Sequence, residues 1–258
     1  MNISVIQNVK EIVDLPYPHV CVENALPEKI YKELCESFPE SLVTSTRPYD
    51  KGICYRYQCN PALVEKKIPQ IWQDFFEYHT SPEYYRACIA LFEKNIIHHY
   101  GEVAYEKLLN YKPSIRNIDR SGEVVQDCQF VIHEPVDQSG TSRTPHLDNP
   151  VEIFAGLLYM KKPNDKAEGG NFTIHESKDI TQVHMGHDGQ SGREIDNDLH
   201  KAVFEVPYKA NTFCMFLNTK NSVHSVSPRI NPTERRRSIN IIGEFNGNGK
   251  MWNLNHVK

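Results

Sequence analysis

The 258-residue chain carries 29 lysines and arginines against 33 aspartates and glutamates, a formal net charge of −4, and is 39% hydrophobic and 24% charged. That composition excludes a disordered, collagenous or disulfide-scaffold chain, and the length is enough to bury a sizeable core. The acidic balance gives no basic footprint for nucleic acid and no polybasic membrane signal, and the longest nearly apolar run, Ile153 to Met160, is far too short to span a bilayer.

The opening stretch MNISVIQNVKEIVDLPYPHV lacks the charged start, apolar centre and small-residue cleavage site of a secretory leader. Seven cysteines, odd in number and without a CxxC pair, fit reduced and mostly buried thiols, so a cytoplasmic location is expected. Cys54 and Cys59 are more widely spaced than zinc clips favour.

In chain order, Pro27 to Phe38 predicts a helix. Proline suits the first turn, and Ile30, Leu34 and Phe38 recur at a spacing of four on one face. A second helical stretch is predicted over 61–79, kinked or divided by Pro69. Its aromatic residues Trp72, Phe75, Phe76 and Tyr78 are expected to pack between the helices and the core. SPEYYRACIALFEKNIIHHY opens with Ser81 as an N-cap and Pro82 at the first helical position, and Tyr85, Ile89, Phe92 and Ile96 form a core face. His98 and His99 close that helix, where they suit the terminal carbonyls. GEVAYEKLLNYK predicts one more helix.

From Val124 the texture changes to short apolar runs cut by Gly, Pro, Asn and Asp. CQFVIHEP, EIFAGLLYM, GNFTIHE, KAVFEVP, NTFCMFLN, NSVHSV and RRSINIIGEF all read as strands. The polar, Gly-rich segment His184–His200 reads as a long surface loop, expected to act as an active-site flap rather than to bind zinc through His184 and His187 with His175 or His200. The expected architecture is mainly β with N-terminal helices, a sandwich or barrel of jelly-roll type. It forms one domain over 1–258, with a helix-rich region 1–115 packing on a core of 116–258.

Twelve histidines invite a metal reading, and spacing discriminates among them. Only one is followed two positions later by a carboxylate: His146 in TPHLDNP, with Asp148. On an extended segment such residues project to one face, so an imidazole and a carboxylate could reach the same ion. His224, in NSVHSV after the strand NTFCMFLN, is the natural third ligand. Two histidines and one carboxylate on one face of an octahedral ion leave adjacent positions open, the arrangement of non-haem Fe(II) oxygenases. If the co-substrate is 2-oxoglutarate, its far carboxylate needs a fixed cation, and ERRRSINII supplies Arg235, Arg236 and Arg237. Strand parity puts Arg236 and Ser238 on one face and Arg235 and Arg237 on the other. An inward Arg236 beside Ser238 makes a two-donor clamp.

With these residues in order, the chain resembles the Fe(II)/2-oxoglutarate-dependent oxygenases, nearest in texture to the prolyl-4-hydroxylase-like branch. The matching features are His146-Leu-Asp148, GLLYM, EGGNF from Glu168 to Phe172, SVHSV around His224, and Arg236-Arg-Ser238. The resemblance implies a double-stranded β-helix (cupin-like jelly-roll) core binding Fe(II), 2-oxoglutarate and O₂, with His146, Asp148 and His224 as ligands. It implies hydroxylation of an unactivated C–H with release of succinate and CO₂. The interval from His224 to the arginines is longer than the branch usually shows, which leaves both Arg236 and Arg237 open as the co-substrate anchor. Where the branch often has a tyrosine facing the co-substrate, this chain has His133, with Gln129 on the same face by parity. The halogenating members replace the carboxylate with a small residue, so Asp148 favours hydroxylation or a related oxidation.

Thr144, Asn149 and the loop His184–His200 are expected at the entrance. A small-molecule substrate, such as an amino acid, peptide or related metabolite, suits the acidic balance better than DNA. The competing reading is a cupin-like metal- or ligand-binding barrel without oxygenase activity, but the cupins' clustered histidines and glutamate are missing here.

Overall fold

The computed structural model describes residues 2–49, 54–135, 143–177, 193–194, 199–247, 249 and 251. The predicted helix at Pro27 is α1 (Glu28–Glu36), with Leu34 fully buried on its inner face. A short α2 (Glu40–Thr44) follows. The stretch 61–79 is two helices, α3 (Cys59–Glu65) and α4 (Gln70–His79), and Pro69 is the N-cap of the second. Helix α5 (Pro82–Leu91) starts as its sequence predicts: the Ser81 hydroxyl accepts the Tyr84 backbone N–H at 3.2 Å. The chain re-caps at Phe92 into α6 (Glu93–Tyr100), and α7 (Glu102–Asn110) completes the helical layer.

The first 115 residues are more than a helical wrap. They also contribute β1 (His19–Glu23), β2 (Cys54–Tyr57) and β3 (Pro113–Ile115). The remaining strands are β4 (Val124–His133), β5 (Arg143–Leu147), β6 (Glu152–Tyr159), β7 (Glu168–Gly169), β8 (Phe172–Ser177), β9 (Arg193–Glu194), β10 (His200–Val206), β11 (Thr212–Leu217), β12 (His224–Val226), β13 (Arg229–Ile230) and β14 (Arg236–Phe245). They build a large sheet in the order β1-β11-β6-β14-β4-β2, with β3 parallel to β4, and a smaller sheet in the order β10-β8-β12-β5-β9. The region before residue 115 is therefore woven into both ends of the large sheet.

Strand alternation makes three layers. In β4, Cys128, Phe130 and Ile132 face the helices, while Gln129 and His133 face the smaller sheet. Phe130 meets Trp72 with ring centroids 4.6 Å apart and Phe76 at 4.7 Å, so α4 is fastened to the sheet by aromatic packing. On the other face, Phe172 of β8 stacks on Phe216 of β11 at 5.7 Å and 20°. The two sheets thus face each other, with Phe172 and Phe216 in contact between them and a cavity lined by residues of both.

The helical layer buries a neutral histidine. His79 donates through Nδ1 to the Phe75 carbonyl at 2.7 Å and accepts the Val5 N–H on Nε2 at 3.4 Å. Burial pushes it down to about 3. From pH about 6.5, the unfolded value, down to about 3, the unfolded chain binds a proton that the folded one refuses. His79 therefore costs about 1.4 kcal/mol of stability per pH unit of acidification in that window and nothing above it. Denaturant midpoints measured across this range should fall less steeply in His79→Gln than in the wild type; equal slopes would refute the assignment.

Candidate active site

His224 and His146 are cross-strand partners on β12 and β5, and a bulge follows immediately between His224 and Val226. Asp148 lies just past the end of β5. The Asp148 carboxylate sits between the rings, with Oδ1 3.6 Å from His146 Nε2 and Oδ2 3.6 Å from His224 Nε2. One ligand atom from each of the three lies within 4.8 Å of the other two, and no other such group of three exists among the described residues.

Each imidazole is oriented by its own strand. His146 Nδ1 donates to the Thr144 carbonyl at 2.7 Å and His224 Nδ1 to the Ser222 carbonyl at 2.9 Å. A carbonyl only accepts, so both Nδ1 atoms carry the proton and both Nε2 lone pairs point to the common centre. Burial lowers His224 to about 4, keeping it neutral and able to ligate. Burial works to raise the Asp148 carboxyl, yet His224, His146 and Arg143 beside it hold it well below the usual carboxylate range. Phe172 and Phe216 wall the His224 ring at 5.1 and 4.7 Å.

The three residues open onto a cavity of about 470 Å³ between the sheets. Arg236, Ser238, His133 and Gln129 line it as well, so the inward face of β14 is the one that parity assigned. Arg236 is 2% exposed, and its Nε donates to the Gly170 carbonyl at 2.9 Å. That carbonyl is delivered by the Gly169-Gly170 turn, where both residues have φ above +70° and a Cβ on Gly169 would fall 1.9 Å from the Pro228 carbonyl. The Arg236 guanidinium carbon stands 5.1 Å from the ring centres of both Tyr159 and Tyr208. Its Nη2, the Tyr159 hydroxyl and His133 Nδ1 are all buried without a hydrogen-bond partner among the described residues. His133 is the cross-strand partner of Arg236, and burial followed by the surrounding charges of Arg236, Arg56, Arg229 and Arg143 pushes it well below its usual value.

Ser238 turns its hydroxyl to Asn240 at 3.3 Å, and Gln129 is engaged by Arg56 and by Asp127. Arg237 faces the helices instead. It donates to the Met160 carbonyl at 3.1 Å and lies 4.7 Å over the Phe38 ring. Arg235 pairs with Glu134 at 2.8 Å and Glu40 at 3.2 Å. Neither Arg235 nor Arg237 lines the cavity, because alternate residues of β14 leave by opposite faces.

Asn149 lines the cavity and Thr144 contributes the carbonyl that orients His146. Of the loop His184–His200, only β9 and residues 199–200 are described; β9 pairs with β5 at His146 and Leu147, and the expectations for His184 and His187 lie outside the described residues. His175 and His200 contact each other, Nδ1 to Nδ1, at 3.0 Å, and His175 Nε2 meets the Ser225 hydroxyl at 2.8 Å. All seven cysteines are free, including Cys54 and Cys59. No helix among the described residues is long and apolar enough to cross a membrane.

Sequence reasoning did not single out Tyr159, which stands beside Arg236, nor Arg56, Arg143 and Glu152, which line the cavity. Tyr159 carried a usable signal: by strand parity it shares the face of Leu157 in GLLYM, and it pairs with Ser238 across β6 and β14.

Comparison with known proteins finds no matching family model and no curated protein of similar sequence. Solved structures do match. A prolyl 4-hydroxylase of Pseudomonas putida is 14% identical, with a TM-score of 0.45 over 88% of this chain and 92% of that one. Prolyl 4-hydroxylase from Phytophthora capsici is 14% identical, with a TM-score of 0.49 over 88% of this chain and 58% of that one. The epimerase SnoN of nogalamycin biosynthesis, solved with Fe³⁺, α-ketoglutarate and nogalamycin RO, is 13% identical, with a TM-score of 0.49 over 88% of this chain and 78% of that one. At such identities function is read from the site's own residues.

Proposed function

We propose that this chain is a non-haem Fe(II)/2-oxoglutarate-dependent dioxygenase with a double-stranded β-helix core, hydroxylating an unactivated C–H of a small molecule. One observation carries the reading. A two-histidine, one-aspartate donor set and a buried arginine with an unpartnered N–H open onto the same cavity. The donor chemistry fits ferrous iron, and the orphaned atoms of Arg236, Tyr159 and His133 fit a carboxylate.

His146, Asp148 and His224 would hold the metal, and Arg236 with Tyr159 would hold the distal carboxylate of 2-oxoglutarate. The bound pair supplies the oxidation of a C–H bond by dioxygen, with release of succinate and CO₂. The protein does the rest. The two Nδ1 hydrogen bonds fix the ligating nitrogens, the aromatic wall of Phe172 and Phe216 excludes water, and the cavity orients the bond to be oxidised. Neutral His133 offers a further contact to the co-substrate or substrate. We place the whole chain in one domain, and the seven free cysteines support a reducing, cytoplasmic setting.

Anaerobic titration of the protein with Fe(II) and then 2-oxoglutarate should produce a weak visible charge-transfer band, and air should then yield succinate. Metal bound with no band and no binding of 2-oxoglutarate would favour the cupin-like barrel and end the oxygenase reading.

A further inference from the structure

Arg236 lines the cavity, and its Nη2 has no hydrogen-bond partner among the described residues, so other contacts must aim that nitrogen. One restraint is the Nε bond to the Gly170 carbonyl at 2.9 Å. Two more act on the guanidinium carbon, which stands 5.1 Å from the ring centres of Tyr159 and Tyr208. The two tyrosines differ in how their hydroxyls are used. That of Tyr159 is buried without a partner among the described residues and is open to a ligand. That of Tyr208, in the connection between β10 and β11, accepts the Arg237 backbone N–H at 2.8 Å, and the residue is only 3% exposed.

This hydrogen bond stands where a sheet bond would otherwise be. Met160 donates its N–H to the Arg237 carbonyl at 3.0 Å, but the Met160 carbonyl is taken by the Arg237 side chain. Regular pairing of β14 with β6 begins only at Ser238 and Tyr159. A buried N–H without a partner is costly, and Tyr208 supplies the partner. The start of β14, from which Arg236 projects, is thus fixed by a side chain from outside the strand.

Tyr208 is itself held. Its backbone N–H donates to the Asn171 side-chain carbonyl at 2.9 Å, and Asn171 follows Gly170, whose carbonyl receives Arg236. The Arg229 guanidinium lies 5.7 Å from the Tyr208 ring centre and is locked by two hydrogen bonds to Asp165, at 2.7 and 2.8 Å. The contacts close a circuit. It runs from the Arg236 guanidinium through Gly170 and Asn171 to Tyr208, then from the Tyr208 hydroxyl through the Arg237 backbone to Arg236 again. Closure of this kind restricts where Nη2 points, and small misplacements of a binding group cost much of its worth.

Resting on the oxygenase reading of this site, we infer that Tyr208 is a positioning residue of the co-substrate pocket. Without touching 2-oxoglutarate it aims Arg236 at the distal carboxylate, and so sets the preference for a 2-oxo diacid over a 2-oxo monoacid.

The test is an anaerobic titration of the Fe(II)-loaded full chain, read by the charge-transfer band, with 2-oxoglutarate and with 2-oxobutanoate. The second compound presents the same 2-oxo acid but has no distal carboxylate. Tyr208→Leu should weaken 2-oxoglutarate by roughly tenfold to thirtyfold while changing 2-oxobutanoate by less than about twofold, with bound iron unchanged. Tyr208→Phe keeps the ring and loses the hydroxyl, and should leave a deficit of only about threefold. In the Arg236→Ala background Tyr208→Leu should add less than about twofold, since no guanidinium is left to aim. Losses shared equally by the two 2-oxo acids, or losses that multiply in the double variant, would overturn the inference and leave Tyr208 a packing residue. Should melting curves show Tyr208→Leu unfolded, Tyr208→Phe decides alone, and an unchanged preference there overturns it. A wild type that forms no band with 2-oxoglutarate sinks the oxygenase reading; a wild-type band with the preference intact in Tyr208→Leu sinks this inference alone.

Discussion

His224→Ala should abolish the iron-dependent turnover of 2-oxoglutarate proposed for this site, and His146→Ala should do the same. Each removes one of three donor atoms held within 4.8 Å, and the remaining histidine and Asp148 cannot close the facial set. The loss should show in metal content after reconstitution and gel filtration, falling from an expected one equivalent to background, and in succinate release. Both imidazoles are buried, at 4% and 6% exposure, so each variant also needs a melting curve to show that it is folded. A folded His224→Ala protein that keeps its iron and its turnover would remove the assigned ligand.

The second large effect separates two neighbouring arginines. Arg236→Ala should raise the 2-oxoglutarate concentration for half-maximal turnover by about 100-fold or more, since it deletes a buried guanidinium whose Nη2 has no hydrogen-bond partner among the described residues. Iron affinity should change far less. Arg237→Ala should leave 2-oxoglutarate binding intact and instead lower stability by about 1–3 kcal/mol, because it strips a hydrogen bond from the Met160 carbonyl and a cation from the Phe38 ring. Steady-state kinetics in 2-oxoglutarate and denaturant melts of both variants check the pair. Reversal of the two phenotypes would mean that β14 presents its other face to the cavity.

What the chain disclosed in advance follows from the range of the interactions involved. Ser81 and Pro82 mark a helix start because capping acts over three residues, and Arg236 separates from Arg237 because strand alternation is local and strict. His146 and Asp148 stood out by a spacing of two, but their meeting with His224 needed the strand order β12-β5, which only the whole sheet supplies. Strands β1 and β2 stayed hidden in HVCVE and CYRY: their valines and tyrosines favour a strand, but segments of five and four residues are too short to stand out until β11 and β4 pair with them. Nothing near Arg56 or Glu152 in the sequence says that they border a cavity. Tyr159 was legible as a strand residue and illegible as a partner of Arg236 until the two strands were laid side by side.

The register that sets His146 opposite His224 has a mechanical side. An ion gripping both imidazoles would act as a stitch across β5 and β12, pinning a bulged ladder beside the mouth of the cavity. Catalytic loading and the firmness of that rim would then be one event, so that scarcity of iron would cost the molecule durability as well as turnover.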